Sequence, residues 1–409
     1  MNYIKDLPSE NQLLNDFDNP HKDEPLLVNA HFHTPYSFSS FSNISEIFEQ
    51  AKKEGIDILG INDFITTSGY AEFNALAHSY KKFPLFNIEF MGLMKDAQEK
   101  DIRINDPSNP GRIYFCGKGL TFPVSYSEDS EKRLRDVLEK STRQTEEMTQ
   151  RLNAHLKKIK APFNLNFSGI KSNYSKGLVR ERHLAKALRI QIVTSFPDID
   201  KRYDFLESLY NGIASDTNPD KPTELDNELR NRLLKKGGIA FVEEDTEAFL
   251  TLNEMKSIIM DAGGIPCYPV LLDDNNMNFT DFEKDFETLA TELAKKRIFA
   301  VELIPFRNDF KVLKKFINIF DEKGFLITFG TEHNTPDTAP LQVSCRDNVP
   351  MDSDLLTVGY HGACIIAANQ YLIAKGKDGY LTSSGFPRLE RQDDFIKLGN
   401  AIIRKFIEL

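Results

Sequence analysis

The 409-residue sequence has no tryptophan, only four cysteines and no long uninterrupted apolar run. The cysteines (Cys116, Cys267, Cys345 and Cys364) are far apart and form no Cys-x-x-Cys pair. This spacing argues against a disulfide framework or a zinc knuckle, and it predicts buried, reduced thiols. Without an apolar run of membrane-spanning length or a signal-peptide core near the start, we expect a cytoplasmic protein that makes no membrane contact.

The chain also has fewer positive than negative side chains. It contains 51 lysines and arginines and 61 aspartates and glutamates, which gives a net charge of −10. A nucleic-acid partner is therefore not expected, since binding the phosphate backbone requires a basic surface. A few arginines in one pocket are enough for a small anion, so a small anionic substrate stays open. The sequence is silent on the oligomeric state.

Apolar, strand-like runs alternate with amphipathic helices over residues 26–90 and again over residues 239–329, beginning with a predicted strand at Ile239–Val242. One helix is predicted to start after Asn43, with Glu46 at capping-box spacing, and to end at Gly55. This repetition predicts parallel strands, and in such sheets functional groups collect at the carboxyl ends of the strands. A chain of this length can form one large barrel with an insertion.

Residues 121–236 differ in character, with charged helices, separating prolines and no strand signal. We interpret them as a helical insertion that caps the barrel. The predicted organisation is a polar N-terminal segment (1–24), a first part of the barrel (25–120), the insertion (121–236), a second part of the barrel (237–345) and a helical C-terminal extension (346–409).

Candidate ligands for a metal stand at the ends of the predicted strands. His31 and His33 follow the apolar run Leu26-Leu27-Val28 and lie two residues apart, so on a strand both imidazoles leave the same face. Such a pair is half of a metal site. Asp63 and Glu89 end the next two predicted strands, which places them at the same edge of the sheet.

Short motifs follow one another in an order typical of one family. They are Asn29-Ala30-His31-Phe32-His33-Thr34, Gly60-Ile61-Asn62-Asp63, Asn87-Ile88-Glu89, the stretch from Arg180 to Leu188, Ala262-Gly263-Gly264-Ile265-Pro266-Cys267-Tyr268-Pro269 and Gly330-Thr331-Glu332. In this order the chain resembles the PHP (polymerase and histidinol phosphatase) family of metal-dependent phosphoesterases. The resemblance implies an α/β fold, a distorted (β/α)7 PHP-type barrel with a helical insertion.

The resemblance also implies a set of metal ligands: His31, His33, Glu89 and Glu332, the last in place of the family's aspartate. Other ligand positions of the family hold Phe38, Phe64, Tyr114, Tyr268 and Asn334 here, which bind metals poorly or not at all. We therefore expect a single divalent ion, Zn²⁺, Mn²⁺ or Fe²⁺. A shift of one residue would make His333 the ligand instead of Glu332.

Further residues are candidates for catalysis and substrate binding. Asp63 and His333 are candidate proton acceptors. Contacts to an anionic substrate are expected from Tyr114, Tyr268, Arg180, His183 and Arg307, since a phenol can donate to a substrate oxygen and guanidinium groups bind anions.

The expected function is a metal-dependent hydrolase, phosphoesterase-like, of a small anionic metabolite, using water activated by the ion. A single ion cannot bind both the attacking and the leaving oxygen, so the loss of ligands bears most on phosphomonoester hydrolysis. Two alternatives stay open: a metal-dependent isomerase or lyase acting on a sugar acid at the same site, and a catalytically inactive PHP-like binding module.

Overall fold

Seven strands of this chain form a single barrel-shaped sheet in a computed structural model that describes residues 2–15, 24–176, 178–334 and 339–408. In chain order they are β1 (Val28–Phe32), β2 (Ile58–Phe64), β3 (Phe83–Leu93), β4 (Arg112–Lys118), β5 (Ile265–Val270), β6 (Ala300–Leu303) and β7 (Leu326–Phe329). Strand β4 runs antiparallel to both neighbours, and the other neighbouring pairs are parallel. A bridge between Phe32 and Glu332 brings the end of β7 against β1 and nearly closes the barrel. The predicted α/β barrel is confirmed.

Helices surround this sheet and connect its strands. Their bounds are α1 (Glu10–Asn15), α2 (Ile44–Glu54), α3 (Tyr70–Tyr80), α4 (Lys95–Glu99), α5 (Glu128–Lys158), α6 (Phe167–Tyr174), α7 (Glu181–Ser195), α8 (Ile199–Leu209), α9 (Pro222–Leu229), α10 (Leu252–Asp261), α11 (Phe286–Lys295), α12 (Phe310–Glu322), α13 (Ser353–Ala374) and α14 (Gln392–Glu408). None of the helices in the described ranges combines the length and the apolar character that crossing a membrane requires.

The local signals for α2 act as predicted. The Asn43 side chain accepts a hydrogen bond from the Glu46 amide at the start of the helix, and Gly55 ends it in the left-handed conformation with φ 72°. An N-cap of this kind stabilises a helix by about 1 kcal/mol. The buried face of α2 is the predicted stripe, Ile44, Ile47, Phe48 and Ala51.

The helices α5 to α9 lie between β4 and β5 in the chain and enclose an apolar core of their own. The predicted strand at Ile239–Val242 is wrong, because these residues form a turn after α9. Gly237, with φ 92°, reverses the chain, and the Ala240 amide then donates to the Leu233 carbonyl. Ala240 and Val242 are buried in the core of the helical segment instead of in the barrel.

The N-terminal polar segment falls only partly within the described ranges, which leave out residues 1 and 16–23. At the other end of the chain, α13 is buried over most of its length. Apolar side chains of α13 and α14 belong to the same core cluster as the barrel strands. These two helices therefore extend the barrel core.

The barrel interior, which carries the polar residues of the site, depends on one close approach at the end of β7. A Cβ atom on Gly330 would lie 2.3 Å from the Cβ of His31, so a larger residue has no room there. The Gly330 backbone lets the end of β7 lie directly against the end of β1.

Candidate metal centre and cavity

Three buried side chains converge inside the barrel, two from the carboxyl end of β1 and one from the middle of β3. His31 and His33 come from the end of β1 and Glu89 from β3, and their ligand atoms all lie within 4.8 Å of one another. The Nε2 atom of His33 lies 3.2 Å from Oε2 of Glu89, and the Nε2 atom of His31 lies 3.8 Å from the same oxygen. Both imidazoles thus direct Nε2 toward one carboxylate.

The orientation of His31 is set by a carboxylate on its other nitrogen. His31 Nδ1 lies 2.9 Å from Oε2 of Glu302, so the Nδ1–H group donates to that oxygen. The Nε2 lone pair then faces the cluster, where the Asn62 amide nitrogen lies 3.1 Å away and Oε2 of Glu89 lies 3.8 Å away. A carboxylate that holds the outer nitrogen of an imidazole in this way is the common support for a metal-binding histidine.

The Ser37 hydroxyl orients the His33 imidazole, as Glu302 orients that of His31. The Nδ1 atom of His33 lies 3.3 Å from the Ser37 hydroxyl, which itself donates to Oδ1 of Asp63 at 2.6 Å. The serine oxygen therefore accepts the Nδ1–H, and the Nε2 lone pair of His33 is left free. The ring packs against both Phe38 and Phe64, with centroid separations of 5.0 and 5.3 Å, and these two rings pack on each other at 5.3 Å. Two positions at which the family resemblance expects ligands thus pack on an imidazole instead.

The atoms that face one another are acceptors. Among the described residues, neither Nε2 of His33 nor Oε2 of Glu89 has a hydrogen-bond partner. Burial lowers the pKa of His33 and raises the pKa of Glu89 to about 8, so without a cation the Glu89 carboxyl keeps a proton at neutral pH. Two imidazole lone pairs and a carboxylate are a donor set that divalent ions such as Zn²⁺ and Fe²⁺ bind, and these residues fit such an ion.

A second buried carboxylate, Glu302, was not among the predicted site residues. It lies in the middle of β6 and makes contact with the Lys118 ammonium, which also donates to Oδ1 of Asn62 at 3.3 Å. Burial opposes both charges, but the pair outweighs it: the pKa of Glu302 is held below its usual value and that of Lys118 is raised. The signal in the sequence was a single acid inside the apolar run Ile298–Ile304.

The two predicted proton acceptors, Asp63 and His333, do not line the cavity that opens beside the three-residue cluster. Asp63 accepts from the Thr34 amide at 2.7 Å as well as from Ser37, so its carboxylate fixes the turn after β1. His333 has Nδ1 2.7 Å from the Thr331 hydroxyl and Nε2 2.9 Å from the Ala339 carbonyl. Both residues are occupied by protein groups, and their geometry gives no support to a role in proton transfer.

Glu332, and not its neighbour, turns toward the site. Glu332 and His333 have φ values of 64° and 51°, so two consecutive residues hold the left-handed conformation that L-residues rarely adopt. The turn is held by the Glu332 amide, which donates to the His31 carbonyl at 3.0 Å. The Glu332 carboxylate contacts Arg307 and accepts from Asn334 at 2.7 Å. It lies outside the three-residue cluster, which does not support its predicted role as a fourth ligand.

A cavity of about 1080 Å³ opens above the cluster, between the barrel and the helical segment. We call its barrel side the floor, which includes His31, Glu89, Glu302 and Glu332, and its helical side the roof, which includes Arg180, Glu181, Arg182, Arg230 and Lys235. Tyr114 and Arg307 also line the cavity.

The roof carries more positive than negative charge. The Glu181 carboxylate is approached by Arg230 Nε at 3.0 Å, Lys235 Nζ at 3.3 Å and Arg180 Nε at 3.7 Å. Burial opposes ionisation of Glu181, but these cations hold its pKa well below the usual range. Arg182 lies over the Phe38 ring at 5.5 Å and forms no ion pair within the described part of the chain. The roof therefore presents surplus cations to the cavity.

Of the five predicted substrate contacts, Tyr114, Arg180 and Arg307 line the cavity, whereas Tyr268 and His183 do not. The Tyr268 hydroxyl donates to Oε1 of Glu283 at 2.8 Å, on the outer side of the sheet. The reason is register: Cys267 pairs with the interior residue Cys116, so the next side chain points outward. His183 accepts from the Arg180 amide at 3.0 Å and caps α7.

No protein-family model matches this chain, and no curated protein sequence does. Two solved structures are similar to it in the path of the backbone. A Bifidobacterium adolescentis protein named as a metal-dependent phosphoesterase has 15% identity and a TM-score of 0.48 over 81% of this chain and 96% of its own. An amidohydrolase from Chromobacterium violaceum, with sulfate and no metal, has 16% identity and a TM-score of 0.46 over 78% and 93%. At these values the likeness carries no argument about family or chemistry.

Proposed function

We propose that this protein is a metal-dependent hydrolase of a small anionic metabolite, with its active site in the cavity between floor and roof. The observation that carries the proposal is the convergence of two imidazole lone pairs and the Glu89 carboxylate, without hydrogen-bond partners for His33 Nε2 and Glu89 Oε2 among the described residues. Acceptors buried this close together are unfavourable unless a proton or a metal cation lies among them, so an arriving ion would displace the proton that Glu89 holds without it.

The proposed ligands are Nε2 of His31, Nε2 of His33 and the Glu89 carboxylate. Three protein ligands with an open side toward a cavity are typical of catalytic sites, whereas structural zinc sites are closed by a fourth. When bound, a divalent ion of this kind supplies Lewis acidity that lowers the pKa of water in its coordination shell and polarises a substrate oxygen.

The remaining groups of the cavity have roles that follow from their charge. The guanidinium groups of Arg180 and Arg182 hold an anionic substrate against the roof. Burial raises the pKa of Tyr114, so its phenol keeps its proton and donates to a substrate oxygen. Burial opposes ionisation of Glu332 too, but Arg307 outweighs it and lowers the pKa, so this carboxylate stays ionised and accepts hydrogen bonds at the floor.

The proposal is tested with the full chain, first stripped by a chelator and then reloaded with Zn²⁺, Mn²⁺ or Fe²⁺. Bound metal is measured by elemental analysis, and turnover is measured on aryl phosphates, phosphodiesters, N-acyl amino acids and uronic acids. We expect bound metal and metal-dependent hydrolysis of at least one anionic class. The matched variants are His33→Ala, which should lose both, and His361→Ala on the exposed face of α13, which should keep both.

Two outcomes would overturn the proposal. Isomerisation or elimination of sugar acids without hydrolysis of any ester or amide would favour an isomerase or lyase. A chain that binds none of the three ions, even at saturating concentration, would favour a binding module without catalysis.

A further inference from the structure

Lys118 is an unusual residue for a barrel interior. Its side chain is fully buried, and the described residues give its ammonium two polar contacts, with Glu302 and with Oδ1 of Asn62. Burying an ammonium group costs several kcal/mol unless a partner of opposite charge lies against it. Since Glu302 supplies that charge, Lys118 and Glu302 form a neutral pair inside the barrel.

This pair lies in a second group of metal-ligating side chains. The ligand atoms of His31, Cys116 and Glu302 all lie within 4.8 Å of one another, and all three residues are buried. An imidazole, a thiol and a carboxylate are together a competent set for Zn²⁺ or Co²⁺. The group shares His31 with the cluster of His31, His33 and Glu89, so the two groups are adjacent.

The two groups differ in whether their charge is already balanced. In the first, His33 Nε2 and Glu89 Oε2 have no hydrogen-bond partner in the described part of the chain. In the second, the Glu302 carboxylate holds both the Lys118 ammonium and the Nδ1–H of His31. A cation thus already lies against the only carboxylate of the second group.

We propose that the Lys118 ammonium takes the place of a second metal ion, so that the barrel binds one ion at His31, His33 and Glu89 and a second one is excluded from His31, Cys116 and Glu302. This inference rests on the proposed metal site, because the first ion has to bind there. It also gives Lys118 a defined consequence: removing its charge leaves Glu302 buried and uncompensated, and the second group then gains affinity for a cation.

Binding of the second ion in such a variant balances as a proton exchange. The ion replaces the thiol proton of Cys116 and the Nδ1 proton of His31, and two protons leave for solvent. In such a variant His31, Cys116 and Glu302 would hold the second ion, with His31 shared between the two groups. Lys118→Ala is the test variant, since it removes the ammonium and leaves space at its position.

The experiment measures the metal content of the full-length wild type and of Lys118→Ala after loading with Zn²⁺, by elemental analysis. Co²⁺ loading adds a readout of sulfur ligation, because a cobalt–thiolate bond gives a charge-transfer band in the near ultraviolet. We expect a twofold rise in bound metal in the variant, together with a thiolate band that the wild type lacks. Lys118→Ala/Cys116→Ser is the matched control, and it should return to the wild-type content without the band.

Each result has a separate meaning. Wild type without any metal contradicts the proposed function itself. Wild type with two ions, or with a cobalt–thiolate band, overturns the role of Lys118 and leaves the metal site standing. A folded Lys118→Ala variant that still binds a single ion also overturns it. Where circular dichroism shows that the variant does not fold, the cobalt spectrum of the wild type at saturation decides, and a thiolate band there contradicts the inference.

Discussion

The floor and the roof of the cavity are both lined by ionisable groups and both partly buried, yet they differ in which kind of group lacks a partner. On the floor, the cluster of His31, His33 and Glu89 brings together lone pairs and a carboxylate with no cation among the described side chains that touch it. On the roof, three cations share the Glu181 carboxylate and Arg182 has no acidic partner in the described ranges. The floor is therefore suited to a cation and the roof to an anion.

Each surface contributes a different kind of group to binding. The barrel supplies groups that its strands and the adjoining turns hold rigidly, which fixes a coordination geometry. The roof supplies guanidinium groups from the helical segment, which suit the planar oxygens of carboxylates and phosphates. An anionic substrate between them would be drawn to both sides at once. The following predictions test this polarity one surface at a time.

The largest effect is expected on the floor. Glu89→Gln keeps the size of the side chain but removes its negative charge, so it removes the only carboxylate of the three-residue cluster. We expect metal affinity, measured by calorimetric titration, to fall by more than about 100-fold, beyond the range typical of residues that only support a ligand. Glu49→Gln, on the exposed face of α2, is the matched control and should bind metal like the wild type. Unchanged affinity in Glu89→Gln would remove Glu89 from the site.

An intermediate effect is expected on the roof. Arg182→Ala removes a cation that has no acidic partner in the described part of the chain. We therefore expect the variant to bind the substrate more weakly and to fold like the wild type. A hydrogen bond to a charged group contributes about 1.5–3 kcal/mol, which corresponds to a rise in KM of about 10–100-fold. Steady-state kinetics on the substrate found by the screen gives this value, and metal content should stay unchanged. Lys201→Ala, an exposed cation on α8, should leave KM unaltered; an equal rise there would mean that the effect is not local.

The smallest effect is expected at Ser37, which orients the His33 imidazole. Ser37→Ala removes the acceptor of the His33 Nδ1–H and also one of the two donors to Oδ1 of Asp63, which keeps the Thr34 amide. Losing such a supporting group typically weakens metal binding by about tenfold or somewhat more. The measurement is again calorimetric titration with Zn²⁺, and Ser42→Ala at an exposed position is the control. If Ser37→Ala binds as tightly as the wild type, the stacked phenylalanines alone orient His33.

Periodicity predicted the barrel and its helices because both depend on local signals. The cap at Asn43, the end at Gly55 and the buried stripe of α2 all lie within a few turns of one helix. The strand predicted at Ile239–Val242 failed because its apolar residues pack on the helical segment, a partner that lies far away in the chain. Periodicity alone does not show which partner such a short apolar run packs against.

The sequence predicts the site residues that directly follow apolar runs. It does not predict residues whose direction depends on strand register or on a partner far away in the chain. His31, His33 and Glu89 follow apolar runs, and the structure brings them together. Tyr268 faces outward because its strand pairs through Cys267, and His333 turns away because the preceding residue takes the cavity position. Glu302 was not predicted as a site residue because its burial as a charged group depends on Lys118, which lies 184 positions earlier in the chain.

His33, Phe38 and Phe64 form a three-ring aromatic cluster that has a consequence for the proposed site. Their centroids lie 5.0–5.3 Å from one another, so each ring packs on the other two. The His33 imidazole therefore cannot swing to another rotamer without losing both contacts. We expect His33 to keep this orientation when no ion is bound, so that part of the proposed site is preformed before an ion arrives.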